Sequence, residues 1–124
     1  MILDTTFVID FFKNSRPAVL KLKNLDEKGE TILITSITIF EIWQGIGPEK
    51  EGSISSFAES IEILDFDSKS AKRAGEIHSG LKSKGALINV GDSMIAGIAM
   101  HNGQTLLTRD EHFARVKGLM IETY

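Results

Sequence analysis

The chain has 124 residues, no cysteine, two prolines and a formal net charge of −3, with 42% hydrophobic and 25% charged residues. That length builds one domain around one core, residues 1–124, and the apolar–charged balance excludes a disordered tail, a collagen-like repeat and a disulfide scaffold. No apolar run approaches the roughly 20 residues of a membrane-spanning helix, and with three scattered histidines and no cysteine, zinc fingers and His-rich metalloenzymes are excluded, so any metal would be held by oxygen.

In chain order the pattern alternates short apolar strands with helices. Met1–Leu3 reads as a buried strand and Thr5–Lys13 as a short helix. The opening stretch lacks a basic segment and carries Asp4 and Asp10, so no signal peptide is expected there; with no cysteine, a cytoplasmic location is expected. Pro17 suits a first helical turn, and an apolar stripe of Val19, Leu20, Leu22 and Leu25 runs to the stop signal Lys28-Gly29. Thr31–Ile34 reads as a second strand. A helix over Ile37–Gly45 is capped by Thr35 or Ser36, then Gly45, Gly47, Pro48 and Gly52 suggest a loop. Ile54–Ile61 reads as a helix and Ile63–Phe66 as a third strand. Asp67 or Ser68 caps a helix with Ala71, Ala74, Ile77 and Leu81 on one face. Gly85–Val90 is a loop, and Asp92 stands before a compact helix of small and apolar residues. Thr105–Thr108 is the fourth strand and Met120–Glu122 a possible fifth. Strands separated by helices predict an α/β fold, with a central parallel sheet of four to five strands flanked by helices.

Charge is unevenly spread. Residues 1–67 hold twelve acids and six bases, residues 68–124 five acids and eight bases. Lys69, Lys72 and Arg73 begin the densest basic patch, which is either a solvated helix face or a grip for nucleic acid.

Four acids stand where simple packing would not put them. Asp4 follows a buried strand and Asp110 follows another, so both face the region beyond the carboxyl ends of the strands, where open α/β sheets bind ligands. Asp92 sits at the mouth of a helix, and Glu41 lies inside an apolar helical run. Clustered carboxylates repel and become protonated unless a cation neutralises them, and hard oxygen ligands select Mg²⁺ or Mn²⁺. Asp4, Asp92 and Asp110 could each instead be a helix N-cap, and Glu41 could be paired with a base. Thr6 and Thr108, beside the acids, are supporting polar candidates. Arg109 either contacts substrate or pairs with a local acid.

The motifs Met1-Ile2-Leu3-Asp4-Thr5-Thr6, Ile37–Gly45 around Glu41, Asp92-Ser93-Met94-Ile95-Ala96 and Leu106-Leu107-Thr108-Arg109-Asp110 resemble those of PIN-domain ribonucleases, and most closely the VapC-like toxins of prokaryotic toxin–antitoxin pairs. The resemblance covers nearly the whole chain in order. It implies a parallel-sheet fold, Mg²⁺ or Mn²⁺ on an acidic cluster of Asp4, Glu41, Asp92 and Asp110, endonucleolytic cleavage of RNA, a cognate antitoxin and a homodimer. Family members often carry a further acid just before a phenylalanine, where this chain has His112.

On this reading Asp4 and Asp92 hold the cation, Glu41 and Asp110 bind it directly or through water, and Arg109, Lys69, Lys72 and Arg73 grip RNA. Two other readings are weighed: a catalytically silent RNA-binding module on the same fold, and an aspartate-based phosphohydrolase. The latter wants a second aspartate two residues after the first, where Thr6 stands.

Overall fold

The computed structural model describes all 124 residues. Five parallel strands, β1 (Ile2–Leu3), β2 (Leu33–Thr35), β3 (Glu62–Leu64), β4 (Leu106–Leu107) and β5 (Ile121–Glu122), form one sheet in the order β3-β2-β1-β4-β5. Six helices accompany them: α1 (Thr5–Phe12), α2 (Arg16–Glu27), α3 (Ser36–Gly45), α4 (Glu51–Ser60), α5 (Ser68–Ser83) and α6 (Val90–His101). The expected parallel α/β architecture is what the chain adopts, with five strands. No helix is long and apolar enough to cross a membrane.

Alternation along the strands builds a core on each face of the sheet. Ile2, Leu33 and Leu106 point into one, against Leu81, Ile95, Ala96 and Ala99 of α5 and α6. Leu3, Ile34 and Leu107 point into the other, against Phe7, Val8, Leu25 and Ile42 of the first three helices. Successive strand residues face opposite ways, so even two-residue strands feed both layers.

Local chemistry sets the helix starts. The side chains of Thr35, Asp67 and Asn89 accept hydrogen bonds from the backbone N–H groups of Thr38 (3.0 Å), Ser70 (2.8 Å) and Gly91 (2.8 Å), capping α3, α5 and α6. Gly29, at φ +68°, turns the chain out of α2 as its position predicts. The stretch expected as a loop over Gly45–Gly52 is shorter than expected: Pro48–Lys50 is a 3-10 turn, and α4 starts at Glu51 with Gly52 inside it. Buried Ile54 and the edge-on contact of Phe57 with Phe12, 5.4 Å between ring centres, supply the packing that overrides the glycine.

The α5–α6 packing is close. A Cβ on Gly97 would lie 2.7 Å from the Ala74 backbone nitrogen and 2.8 Å from the Ser70 carbonyl oxygen. His78 and Ser93 share a hydrogen bond of 2.8 Å, and His101 lies 3.9 Å from Asp67, so the two helices run antiparallel.

Candidate active site

The strand order reverses direction between β1 and β4, and Asp4 leaves the sheet at that junction. Its backbone N–H still bonds the Leu107 carbonyl (3.0 Å), which continues the ladder one residue beyond β1. Its carboxylate is 2% exposed and accepts three hydrogen bonds, from Thr5 N–H (2.8 Å), Thr6 Oγ1 (2.8 Å) and Thr108 Oγ1 (2.7 Å). Burial pushes its pKa up, and these donors together pull against that shift without reversing it.

Three further carboxylates surround it. Glu41 comes from the middle of α3, Asp92 from the first turn of α6, and Asp110 from the segment after β4. Asp92 is pushed up to about 7 by burial and then by the charges of Asp4, Asp110 and Glu41, with His112 pulling the other way. Helix α6 presents its positive end to Asp92, an effect of about 0.3–1 kcal/mol. Burial and crowding outweigh it. Glu41 is raised by burial and by Asp4, while Thr5 opposes the shift. The four acids singled out in the sequence are thus electrostatic neighbours.

Two of the alternative cap roles are real. Asp4 caps α1, and Asp110 caps the 3-10 helix Glu111–Arg115 through His112 N–H (2.9 Å). Asp92 is not a cap: Asn89 takes that place, which frees the Asp92 carboxylate to face its neighbours. Glu41 has no basic partner among the ion pairs of the structure. A Cβ on Gly91 would collide with Glu41 Oε1, so glycine here lets the start of α6 lie against that carboxylate.

The donor set fits a hard divalent cation. A carboxylate offers about four lone-pair sites, and Asp4 commits three of them to hydrogen bonds, leaving one. Asp92 stands among three like charges with only His112 to relieve them. The arrangement is open: no group of three or more acidic or histidine side chains is gathered tightly enough to enclose an ion. A cleft of about 540 Å³ runs past Glu41, Gly91 and Asp92, and another of about 550 Å³ runs past Thr6 and Asp110.

A model of the PIN domain family matches residues 1–119. The chain belongs to that family. It is 31% identical to the tRNA(fMet)-specific endonuclease VapC of Salmonella typhimurium, over 98% of this chain and 96% of the relative. It is 34% identical to ribonuclease VapC3 of Methanocaldococcus jannaschii, over 78% of this chain and 95% of the relative. Its fold matches the crystal structure of VapBC2 from Rickettsia felis bound to a DNA fragment from their promoter, with a TM-score of 0.86, 30% identity, and coverage of 98% and 96%.

The basic residues of this PIN domain do not all gather at the carboxylates. Lys69, Lys72 and Arg73 line a separate groove of about 350 Å³ with Met100 and His101, at the far end of α6 from Asp92. His101 stands nine positions after Asp92 in the helix, a rise of roughly 13 Å. Arg109 is forked onto Asp10, with Nε to Oδ2 at 2.6 Å and Nη2 to Oδ1 at 3.2 Å, which is the local ion pair weighed above. Tyr124 adds a third hydrogen bond to Asp10 (2.7 Å) and packs edge-on against Phe7. Trp43 of α3 is 39% exposed and lies outside the core.

Several contributors escaped sequence reading. Thr5, not among the supporting threonines singled out in the sequence, touches both Asp4 and Thr38 and sits beside Glu41. Thr35 and Thr38 are fully buried beneath it. His112 pairs with Asp110 at 2.9 Å, and Glu111 lines the cleft with it. The run of buried threonines at strand ends was the available signal.

Proposed function

We propose that this PIN domain protein is a metal-dependent endoribonuclease and the toxin component of a toxin–antitoxin pair. The observation that carries the reading is the buried Asp4 carboxylate at the β1–β4 junction, fixed by three donors and coupled to Asp92, Glu41 and Asp110. The ribonuclease names of its full-length relatives, and its likeness to VapBC assemblies, support the activity and an antitoxin partner.

Asp4 and Asp92 would hold Mg²⁺ or Mn²⁺, with Glu41 and Asp110 binding it directly or through water. When bound, such a cation supplies an activated water for in-line attack and neutralises charge on the phosphoryl oxygens. Thr6 and Thr108 fix the Asp4 carboxylate by both bonding Oδ2, so its one remaining lone pair, on Oδ1, keeps one direction. Gly91 lets the Glu41 carboxylate lie against the first turn of α6, the turn that carries Asp92. RNA is the substrate, the protein acts in the cytoplasm, and two copies form a homodimer.

The test is incubation of the purified protein with defined RNAs, with Mg²⁺ or Mn²⁺, in excess chelator, and after metal is restored. Cleavage should need the added ion and should vanish in Asp4→Asn. Cleavage that persists in chelator, or in Asp4→Asn, rejects the mechanism; binding of RNA without turnover favours a silent module.

A further inference from the structure

One cleft beside the carboxylates has a composition the proposed chemistry does not by itself require. It measures about 550 Å³ and is lined by Thr6, Arg109, Asp110, Glu111, His112 and Arg115, with no hydrophobic residue. Two of these residues belong equally to the acidic centre: Thr6 donates to Asp4, and Asp110 raises the pKa of Asp92. The cleft therefore continues directly from the acids.

Its charges are not equally available. Arg109 is already neutralised by the fork onto Asp10, and Asp110 is in contact with His112 at 2.9 Å. Arg115 differs. Its one partner is neutral, the Leu87 carbonyl, which Nη1 reaches at 2.8 Å. A guanidinium has five N–H donors, so four remain, on a side chain already anchored at one end. Anchoring removes part of the entropy cost of binding a second group. With no hydrophobic residue in its lining, the cleft offers a base no apolar wall to bury against, whereas phosphate oxygens match a half-used guanidinium.

We propose that this cleft is a backbone-phosphate subsite, in which Arg115 holds a phosphate of the RNA next to the one presented to the carboxylates. The inference rests on the nuclease reading above and adds to it the path of the strand. His112 stands at the seam between subsite and acids, and exposed Glu111 limits the affinity by repulsion. The groove of Lys69, Lys72 and Arg73 is a poorer candidate. It lies at the other end of α6, and Glu76 comes within 3.8 Å of Arg73.

The experiment measures binding of a short labelled RNA in excess chelator across a salt series, then steady-state cleavage with metal. Arg115→Gln keeps a donor for the Leu87 carbonyl and loses the charge; Arg115→Lys keeps the charge. Losing one phosphate contact on a single strand reduces the slope of log affinity against log salt by about 0.7. Arg115→Gln should show that loss, with binding about tenfold weaker, KM raised and kcat kept. Arg115→Lys should retain the slope, and Glu111→Gln should bind more tightly than the parent. A parental slope and KM in Arg115→Gln overturns the subsite. So does an equal loss in Gln and Lys variants with a lowered melting temperature, which would make Arg115 a tether for the Leu87 loop. If the parent binds RNA with the Arg115-dependent slope yet never cleaves it, the subsite stands and the nuclease reading falls.

Discussion

Thr108 Oγ1 donates a 2.7 Å hydrogen bond to Asp4 Oδ2, joining two buried residues 104 positions apart in the chain. Thr6 donates to the same oxygen at 2.8 Å. The carboxylate is thereby fixed by donors from two elements, α1 and the end of β4. A hydrogen bond to a charged group is worth about 1.5–3 kcal/mol. Thr108→Val keeps the shape and removes the donor, so it should destabilise the fold by about that much and reduce cleavage. Thr108→Ser should recover most of both. Denaturant titration and single-turnover cleavage of the two variants check this.

The crowding of carboxylates has a pH signature with a definite sign. Asp92 is pushed up to about 7, above its ordinary 3.8, so the folded chain holds a proton there that the unfolded chain has released. Its contribution therefore makes the metal-free protein more stable as pH falls from 8 through 7 towards 4. Asp4 and Glu41 are shifted the same way. Asp10 is lowered by Arg109 and Tyr124, so its contribution is held above its ordinary 3.8 and lost below it. Calorimetry in chelator should find a higher Tm near pH 5 than at pH 8, and Asp92→Asn should flatten that rise. A Tm that falls between pH 8 and pH 5 contradicts the crowding.

Gly97 and Gly91, two of the crowded glycines, separate stability from function. At Gly97 a methyl group would meet backbone of α5, which cannot move cheaply. Overpacking costs about 1–3 kcal/mol, against about 1 kcal/mol gained from the better helix propensity of alanine. Gly97→Ala should therefore lower stability. At Gly91 the methyl would meet the end of the Glu41 side chain, which can swing away. Gly91→Ala should leave the Tm nearly unchanged and lower the cleavage rate.

Asp10 holds Arg109 and Tyr124 together, and the chain has one tyrosine, so its titration can be followed without overlap. The Tyr124 hydroxyl is pushed up to about 12, by burial first and then by its bond to Asp10 and that residue's charge. Asp10→Asn should move the ultraviolet titration midpoint of Tyr124 down towards 10. An unmoved midpoint would mean burial alone sets it.

The sheet was legible because its central strands, β1, β2 and β4, are short buried runs, apolar but for Thr35, covered on both faces. Ile2 and Leu3, or Leu106 and Leu107, carry both layers in two residues. The four acids were legible because no packing argument explains Glu41 in an apolar helix or Asp4 after a buried strand. Less legible were features that depend on another element. Gly52 argued against a helix that Ile54 and Phe57 stabilise from a distance. Asp92 resembled a cap until Asn89 was found in that place. The Asp10–Arg109–Tyr124 cluster joins residues spread over 114 positions, which no local pattern reveals. Likewise, the basic residues of α5, read as a solvated face or a grip for nucleic acid, are put at the far end of α6 from Asp92 by the antiparallel packing of the two helices.

The central claim is that Asp92 is kept at a cost to the fold because the chemistry needs it. Single-turnover RNA cleavage and Tm should be measured together for the parent and Asp92→Asn, at pH 8 with saturating Mn²⁺ for cleavage and chelator for melting. The account predicts a cleavage rate lower by about a thousandfold or more in a variant that melts at a higher temperature than the parent. Parental cleavage by Asp92→Asn, or loss of cleavage together with a lower Tm, would contradict it.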